Sequence, residues 1–181
     1  MGKVFTEISE SMQAWVEKQK IFFVATAPLS DSGHVNCSPK GADSLRILSP
    51  TRVAYQDLTG SGVETIAHIR ENGRIVIMLC AFEGPPQIVR FFGQGTYLPK
   101  GSEEFQKLAG QFEDKLGWRA IITVDVTRVG SSCGYSVPFY DFVGDRDVLD
   151  KWTAAKGAAG LDEYQKMKNA QSIDGLPGLK F

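Results

Sequence analysis

Three cysteines and two histidines are all that 181 residues offer for disulfide or metal chemistry. Cys37, Cys80 and Cys133 form no CxxC pair and are odd in number, so no disulfide framework is implied. With only His34 and His68 beside them, no ligand set for zinc is in view, and no metal is expected. Long apolar runs are missing too. The longest, Ile75–Phe82, is eight residues, far below the roughly 20 that span a bilayer. The first twenty residues contain no apolar leader core, so we expect no signal peptide, a cytoplasmic chain and no membrane partner. Nor is there an excess of charge: 20 Lys and Arg stand against 21 Asp and Glu, a net charge of -1. A basic face for nucleic acid is therefore not expected.

Glycine is what the chain has in plenty: 19 residues, where average usage near 7% would give about 13. The length suits a single domain over residues 1–181 with its own core. Apolar spacing at Ile8, Met12, Trp15 and Val16 predicts a first helix. Strands are expected at Ile21–Ala27, His34–Ser38, Leu45–Leu48, Arg52–Asp57, Arg74–Phe82, Gln87–Leu98 and Ala120–Val129. Gly93 and Gly95 suggest a bulge in the longest of them. Short helices are expected over 63–71 and 101–112, and two more, 147–156 and 161–170, form a helical extension from about residue 145. Six or seven strands joined by short turns argue for a mainly β, α+β chain. Its antiparallel sheet would close into a small barrel with peripheral helices.

The densest chemical candidate is Tyr55-Gln-Asp-Leu-Thr-Gly-Ser-Gly-Val-Glu-Thr65, a strand running through a glycine loop into a helix. Gly60 and Gly62 let the main chain curl without Cβ clashes, and free N–H groups at the helix start suit a phosphate. Thr59, Ser61 and Thr65 could add hydroxyls. Against this, Ser61-Gly-Val-Glu64 fits a capping box, which alone explains Ser61 and Glu64. A dinucleotide fingerprint is a third reading: Gly60-x-Gly62 opens a helix and Glu83 lies 21 residues beyond Gly62. Its third glycine is replaced by Thr65, and no further βαβ unit follows. Asn36-Cys-Ser-Pro-Lys-Gly41 bends at a sheet edge because Pro39 has no N–H, and Lys40 beyond it is either a ligand's cation or a solvated surface group. Arg90 sits among Ile88, Val89, Phe91 and Phe92 and needs an anionic partner, a carboxylate or a ligand phosphate. His68 reads as a cap or surface group, and Cys80 as core. No histidine accompanies a nucleophile, so any hard chemistry belongs to a cofactor.

Taken together, Val35-Asn-Cys-Ser-Pro-Lys-Gly41, Arg52-Val-Ala-Tyr-Gln-Asp-Leu-Thr-Gly-Ser-Gly62 and Asn72-Gly73-Arg74 resemble the pyridoxamine 5'-phosphate oxidase-like flavoproteins. Phe82-Glu-Gly-Pro-Pro86, Ser132-Cys-Gly-Tyr135 and Ser172-Ile-Asp-Gly-Leu-Pro-Gly178 are similar to the oxidase-related FMN-binding subgroup, and the likeness covers nearly the whole chain. The resemblance implies an FMN-binding split β-barrel, a homodimer with flavin at the subunit interface. It implies that Asn36, Ser38, Pro39 and Lys40 run along the isoalloxazine. Tyr55, Asp57, Thr59, Gly60, Ser61, Gly62 and Thr65 would then take the ribityl chain and phosphate, and Arg90 would be a second phosphate partner. Tyr135 and Trp152 are candidates to cover the flavin or to pack in the core.

Two departures accompany the likeness. The oxidases carry a basic pair where this chain has Glu64 and Thr65, and they end in an arginine-rich segment where it has Leu176-Pro-Gly-Leu-Lys-Phe181. Both speak against oxidation of pyridoxamine phosphate itself. The resulting expectation is an FMN-dependent oxidoreductase with a small-molecule electron donor or acceptor; the alternatives are a flavin-binding electron carrier and the dinucleotide domain.

Overall fold

Alternation of apolar residues sets the sheet. In the strand Arg74–Cys80, Ile75, Ile77 and Leu79 are buried while Arg74 is exposed, the period of two that puts one face of a strand inward. A computed structural model describes residues 2–181; Met1, the first residue of the expected domain and leaderless N-terminus, lies outside the described residues. In chain order the elements are β1 (Lys3–Phe5), α1 (Glu10–Val16), β2 (Phe22–Thr26), β3 (Asn36–Lys40), β4 (Leu45–Ser49), β5 (Arg52–Leu58), α2 (Glu64–Asn72), β6 (Arg74–Cys80), β7 (Ile88–Pro99), α3 (Glu103–Ala109), β8 (Trp118–Ser132) and α4 (Val148–Lys168). Ser9 and Ser102 cap α1 and α3 by accepting from the N–H groups of Met12 and Phe105. Gly73, at φ 72°, closes α2 in the left-handed region.

Every strand pairing is antiparallel, in the order β3-β2-β6-β7-β8-β5-β4, with β1 added to β8. The two ends of that order, β3 and β4, are consecutive in the chain and joined only by Gly41–Ser44. Such a short link forces the sheet to curl until its edges approach, giving the split barrel. The bulge falls between Phe92 and Gly93, where a Cβ on Gly93 would collide with the Asp125 carbonyl. In the barrel core lie Val24, Tyr55, Ile66, Ile77, Phe91 and Ile122, and α1 and α2 pack their apolar residues into the same cluster. A second cluster packs α3 outside: Phe105 and Phe112 stand 4.6 and 5.9 Å from the Trp118 ring centroid.

Several expectations need correction. There are eight strands rather than six or seven, because β1 is three exposed residues, too short to show a period. The strand expected at His34–Ser38 is β3, two residues later, with Pro39 inside it. Pro39 is tolerated because β3 is an edge. The two C-terminal helices form α4, interrupted at Gly157 with φ 66° and ψ 174°. The all-antiparallel sheet also removes the βαβ unit that a dinucleotide domain requires. No helix among the described residues is long and apolar enough to cross a membrane.

Candidate functional site

The end of β5 carries a charge into the barrel. Asp57 is fully buried, on the same face as Tyr55. Its Oδ2 accepts from Nε of Arg119 at 2.6 Å, and the Lys40 ammonium stands 3.5 Å from Oδ1. Burial alone would push this carboxyl up; the Arg119 guanidinium and the Lys40 ammonium outweigh it and hold it below the usual range. Lys40 also lies 6.0 Å from the Tyr55 ring centroid. Burial, reinforced by Asp57, pushes the Tyr55 phenol well up. Tyr55 Oη and Asp57 Oδ1 are buried without a hydrogen-bond partner, the kind of unmet demand that calls for an explanation. Sequence reasoning missed Arg119. A lone cation opening an apolar strand signals a buried anion, but the register that brings it to Asp57 comes from the β5–β8 pairing.

Along β3 the residues alternate, so Asn36, Ser38 and Lys40 share the more protected face while Cys37 and Pro39 are exposed. Asn36 Nδ2 donates to Thr65 Oγ1 at 2.9 Å, and Ser38 Oγ donates to Asn36 Oδ1 at 3.1 Å. The start of α2 and the edge strand are thereby tied together. His68 is buried inside this cluster, not a cap or surface group, with Nδ1 2.9 Å from Thr26 Oγ1. Burial pulls its pKa down.

Between β5 and α2 the glycine loop faces two ways. The Gly60 and Gly62 carbonyls point inward, the first to Asn169 Nδ2 at 3.0 Å and the second to Arg119 Nη1 at 2.9 Å. Among the described residues no acceptor meets the N–H of Gly60, Ser61 or Gly62. The capping box does not form: the helix cap is Val63, without a side-chain bond, and Glu64 Oε1 accepts instead from the Ile173 N–H at 3.3 Å. Neither loop glycine is in the left-handed region, so curling is not what requires them. A Cβ on Gly60 would project into open space; its absence keeps the loop backbone accessible. Ser61 is exposed, whereas the buried Thr59 hydroxyl donates to the Gly117 carbonyl at 2.8 Å and accepts from Gln165 Nε2 at 2.7 Å.

Pro39, Lys40, Thr59 and Gly60 line one wall of a cavity of about 1150 Å³. The turn Phe82–Pro85 and residues Tyr140, Phe142 and Arg146 also line it. The cavity thus combines a hydrogen-bonded polar side with an aromatic one. Arg90 lies elsewhere, half-buried on β7, with Nη1 donating to Ser132 Oγ at 3.2 Å and no carboxylate partner. No cluster of metal-ligating side chains occurs among the described residues.

Residues 8–133 match the family model described as pyridoxamine 5'-phosphate oxidase. Over 194 aligned residues, 97% of this chain and 77% of the relative, the sequence is 37% identical to the pyridoxamine 5'-phosphate oxidase family protein ustO of Aspergillus flavus. Among solved structures, HupZ of Group A Streptococcus aligns with a TM-score of 0.52 at 26% identity, covering 67% of this chain and 91% of that chain. A Lactobacillus delbrueckii protein named for pyridoxamine 5'-phosphate oxidase aligns at the same TM-score of 0.52 with 14% identity, over 69% of this chain and 94% of that one, a likeness of fold alone.

Proposed function

The chain belongs to the pyridoxamine 5'-phosphate oxidase family, and from that premise we propose that it binds FMN and acts as an FMN-dependent oxidoreductase on a small molecule. The observation that carries this reading is the two-faced loop Gly60–Gly62. Its carbonyls are consumed inside the protein, and its N–H groups are left free at the start of a nine-residue helix, beside a cavity large enough for a flavin. Free N–H groups and a helix dipole favour a phosphate without any basic face. That suits a chain with no net excess of cations.

The residues fit the group in three respects. Gly60 leaves room where a side chain would project, Asp57 Oδ1 and Tyr55 Oη lack partners, and Lys40 brings a cation to the wall where an anion would lie. In this reading Asn36, Ser38, Pro39 and Lys40 border the ring, while Gly60, Ser61, Gly62 and Thr65 hold the ribityl phosphate. Thr59 shapes the loop rather than donating to it, since its proton is committed to Gly117. Bound there, the isoalloxazine supplies hydride or electron transfer, chemistry that the side chains alone do not provide. A second copy of the chain completes the site, with Tyr135, 82% exposed, as the residue offered across the interface. Trp152 instead packs on Tyr164 within α4, at 5.0 Å.

One observation favours a flavin-binding carrier without turnover. Asp57, the carboxylate of the polar wall, is already paired with Arg119 and Lys40, leaving no free carboxylate to serve as acid or base there. The test is a titration of purified protein with FMN, followed by anaerobic addition of NADH or NADPH. Bleaching of the bound flavin supports the oxidoreductase; binding without bleaching across a donor panel supports the carrier. A colourless protein whose melting temperature FMN leaves unchanged removes both.

A further inference from the structure

The end of the chain, Asn169–Leu179, reaches the glycine loop directly. Asn169 is fully buried at the C-terminal end of α4, yet its side chain makes no bond to that helix. Its Nδ2 donates to the carbonyls of Gly60 at 3.0 Å and Gly62 at 3.4 Å, while its Oδ1 accepts from Arg119 Nη1 at 2.9 Å. The same Arg119 Nη1 reaches the Gly62 carbonyl at 2.9 Å. One helical turn earlier, Gln165 holds Thr59. Asn169 is itself pinned by the tail: its carbonyl accepts from the Leu179 N–H at 2.8 Å, and Leu179 is buried in the barrel core. Gly178 packs against that carbonyl and Val63 so closely that a Cβ would collide with both.

A trans peptide points its C=O and N–H in opposite directions. Turning the Gly60 and Gly62 carbonyls inward therefore turns the N–H groups of Ser61 and Val63 the other way, and neither meets an acceptor among the described residues. We infer that Asn169, seated by the tail and by Arg119, is the positioning residue that aims these N–H dipoles at the phosphate of the bound flavin. The inference rests on the FMN reading above and adds a residue far away in sequence to it. Asn169 touches no ligand; it acts through the loop.

The experiment compares affinities for FMN and riboflavin, which share the ring and differ in the phosphate, by quenching of flavin fluorescence. Asn169→Asp keeps an acceptor for Arg119 and loses the donor to the loop; Asn169→Ala tests the same loss without adding charge. Each should weaken FMN about tenfold or more and change riboflavin less than about twofold, as expected for losing an oriented donor set aimed at an anion. Gln165→Leu should do the same more weakly, and it carries the test if either Asn169 variant fails to fold. Met167→Ala, on the exposed side of the same helix, should change neither. Equal loss for both flavins would reduce Asn169 to a structural strut and overturn the inference, as would no loss at all. Wild-type protein that binds riboflavin as tightly as FMN overturns the inference but leaves the flavin reading standing. Wild-type protein that binds neither removes both.

Discussion

Two irregular segments face the same cavity and are held in opposite ways. Thr59–Gly62 is four residues long, and Gly117 and Arg119 at the start of β8 and Gln165 and Asn169 at the end of α4 reach it from two other parts of the chain. Cys133–Asp147 contains no helix or strand. Its links to the rest of the barrel include the Tyr140 N–H on the Phe82 carbonyl at 3.1 Å, the Tyr140 ring against Phe82, the Lys20 ammonium 5.6 Å from the Phe142 ring, and Gly134 buried against the Gln87 backbone. Tyr135, Phe139 and Val143 on this segment are exposed at 82, 79 and 98%. A wall fixed by buried hydrogen bonds is organised before a ligand arrives. A wall of exposed aromatics gains its partners only when something covers it. In the reading proposed above, the fixed wall is the cofactor-holding side, and the exposed one adapts to substrate or to a second subunit.

The largest break in this contrast comes from Arg119→Ala. It leaves the buried Asp57 carboxylate with only the Lys40 ammonium at 3.5 Å and removes the shorter of the two donors to the Gly62 carbonyl, so urea denaturation should show a loss of about 3–5 kcal/mol. The same ion pair has a pH signature. Asp57 is held below its unfolded value, so its contribution is present above about pH 4 and is lost as pH falls through the lower folded value. An acid titration of stability should show that limb in the wild type and its loss in the variant. Gly178→Ala comes next: the added methyl meets the Asn169 backbone and Val63, and should destabilise by about 1–3 kcal/mol.

Lys40→Ala acts on ligand more than on fold. Its ammonium is partly exposed beside Asp57, and FMN affinity should fall about tenfold, read by the same fluorescence titration. On the other wall, Val143→Ser should leave thermal stability unchanged within about 0.5 kcal/mol, because that side chain is almost entirely solvated. A large loss there would mean that the segment is packed against something, most simply a second copy of the chain, and would blur the contrast.

Apart from β3, whose polar residues left it misplaced by two positions, the strands from β2 to β8 were legible from apolar runs or alternation of four residues or more, and the bulge from Gly93, where a Cβ would meet the Asp125 carbonyl. β1 was not, since three exposed residues carry no pattern. The loop was legible as a glycine-flanked turn before a helix, but its capping-box alternative was equally well written in the sequence. What decided between them was Ile173, more than a hundred residues away, occupying Glu64. Tertiary context also overruled the placement of His68 on the surface: α2 packs that face against β2, beside Thr26.

By itself, then, the sequence determined most of the strands, their antiparallel linkage and the residue types of the glycine loop, because these depend on local period and on backbone chemistry. Only the folded chain decided which way the loop's carbonyls turn and which ion balances Asp57. Those depend on Arg119, 62 residues beyond Asp57 and brought to it by the β5–β8 pairing, and on Asn169, 112 residues beyond, which docks on Arg119 and the loop from the end of α4.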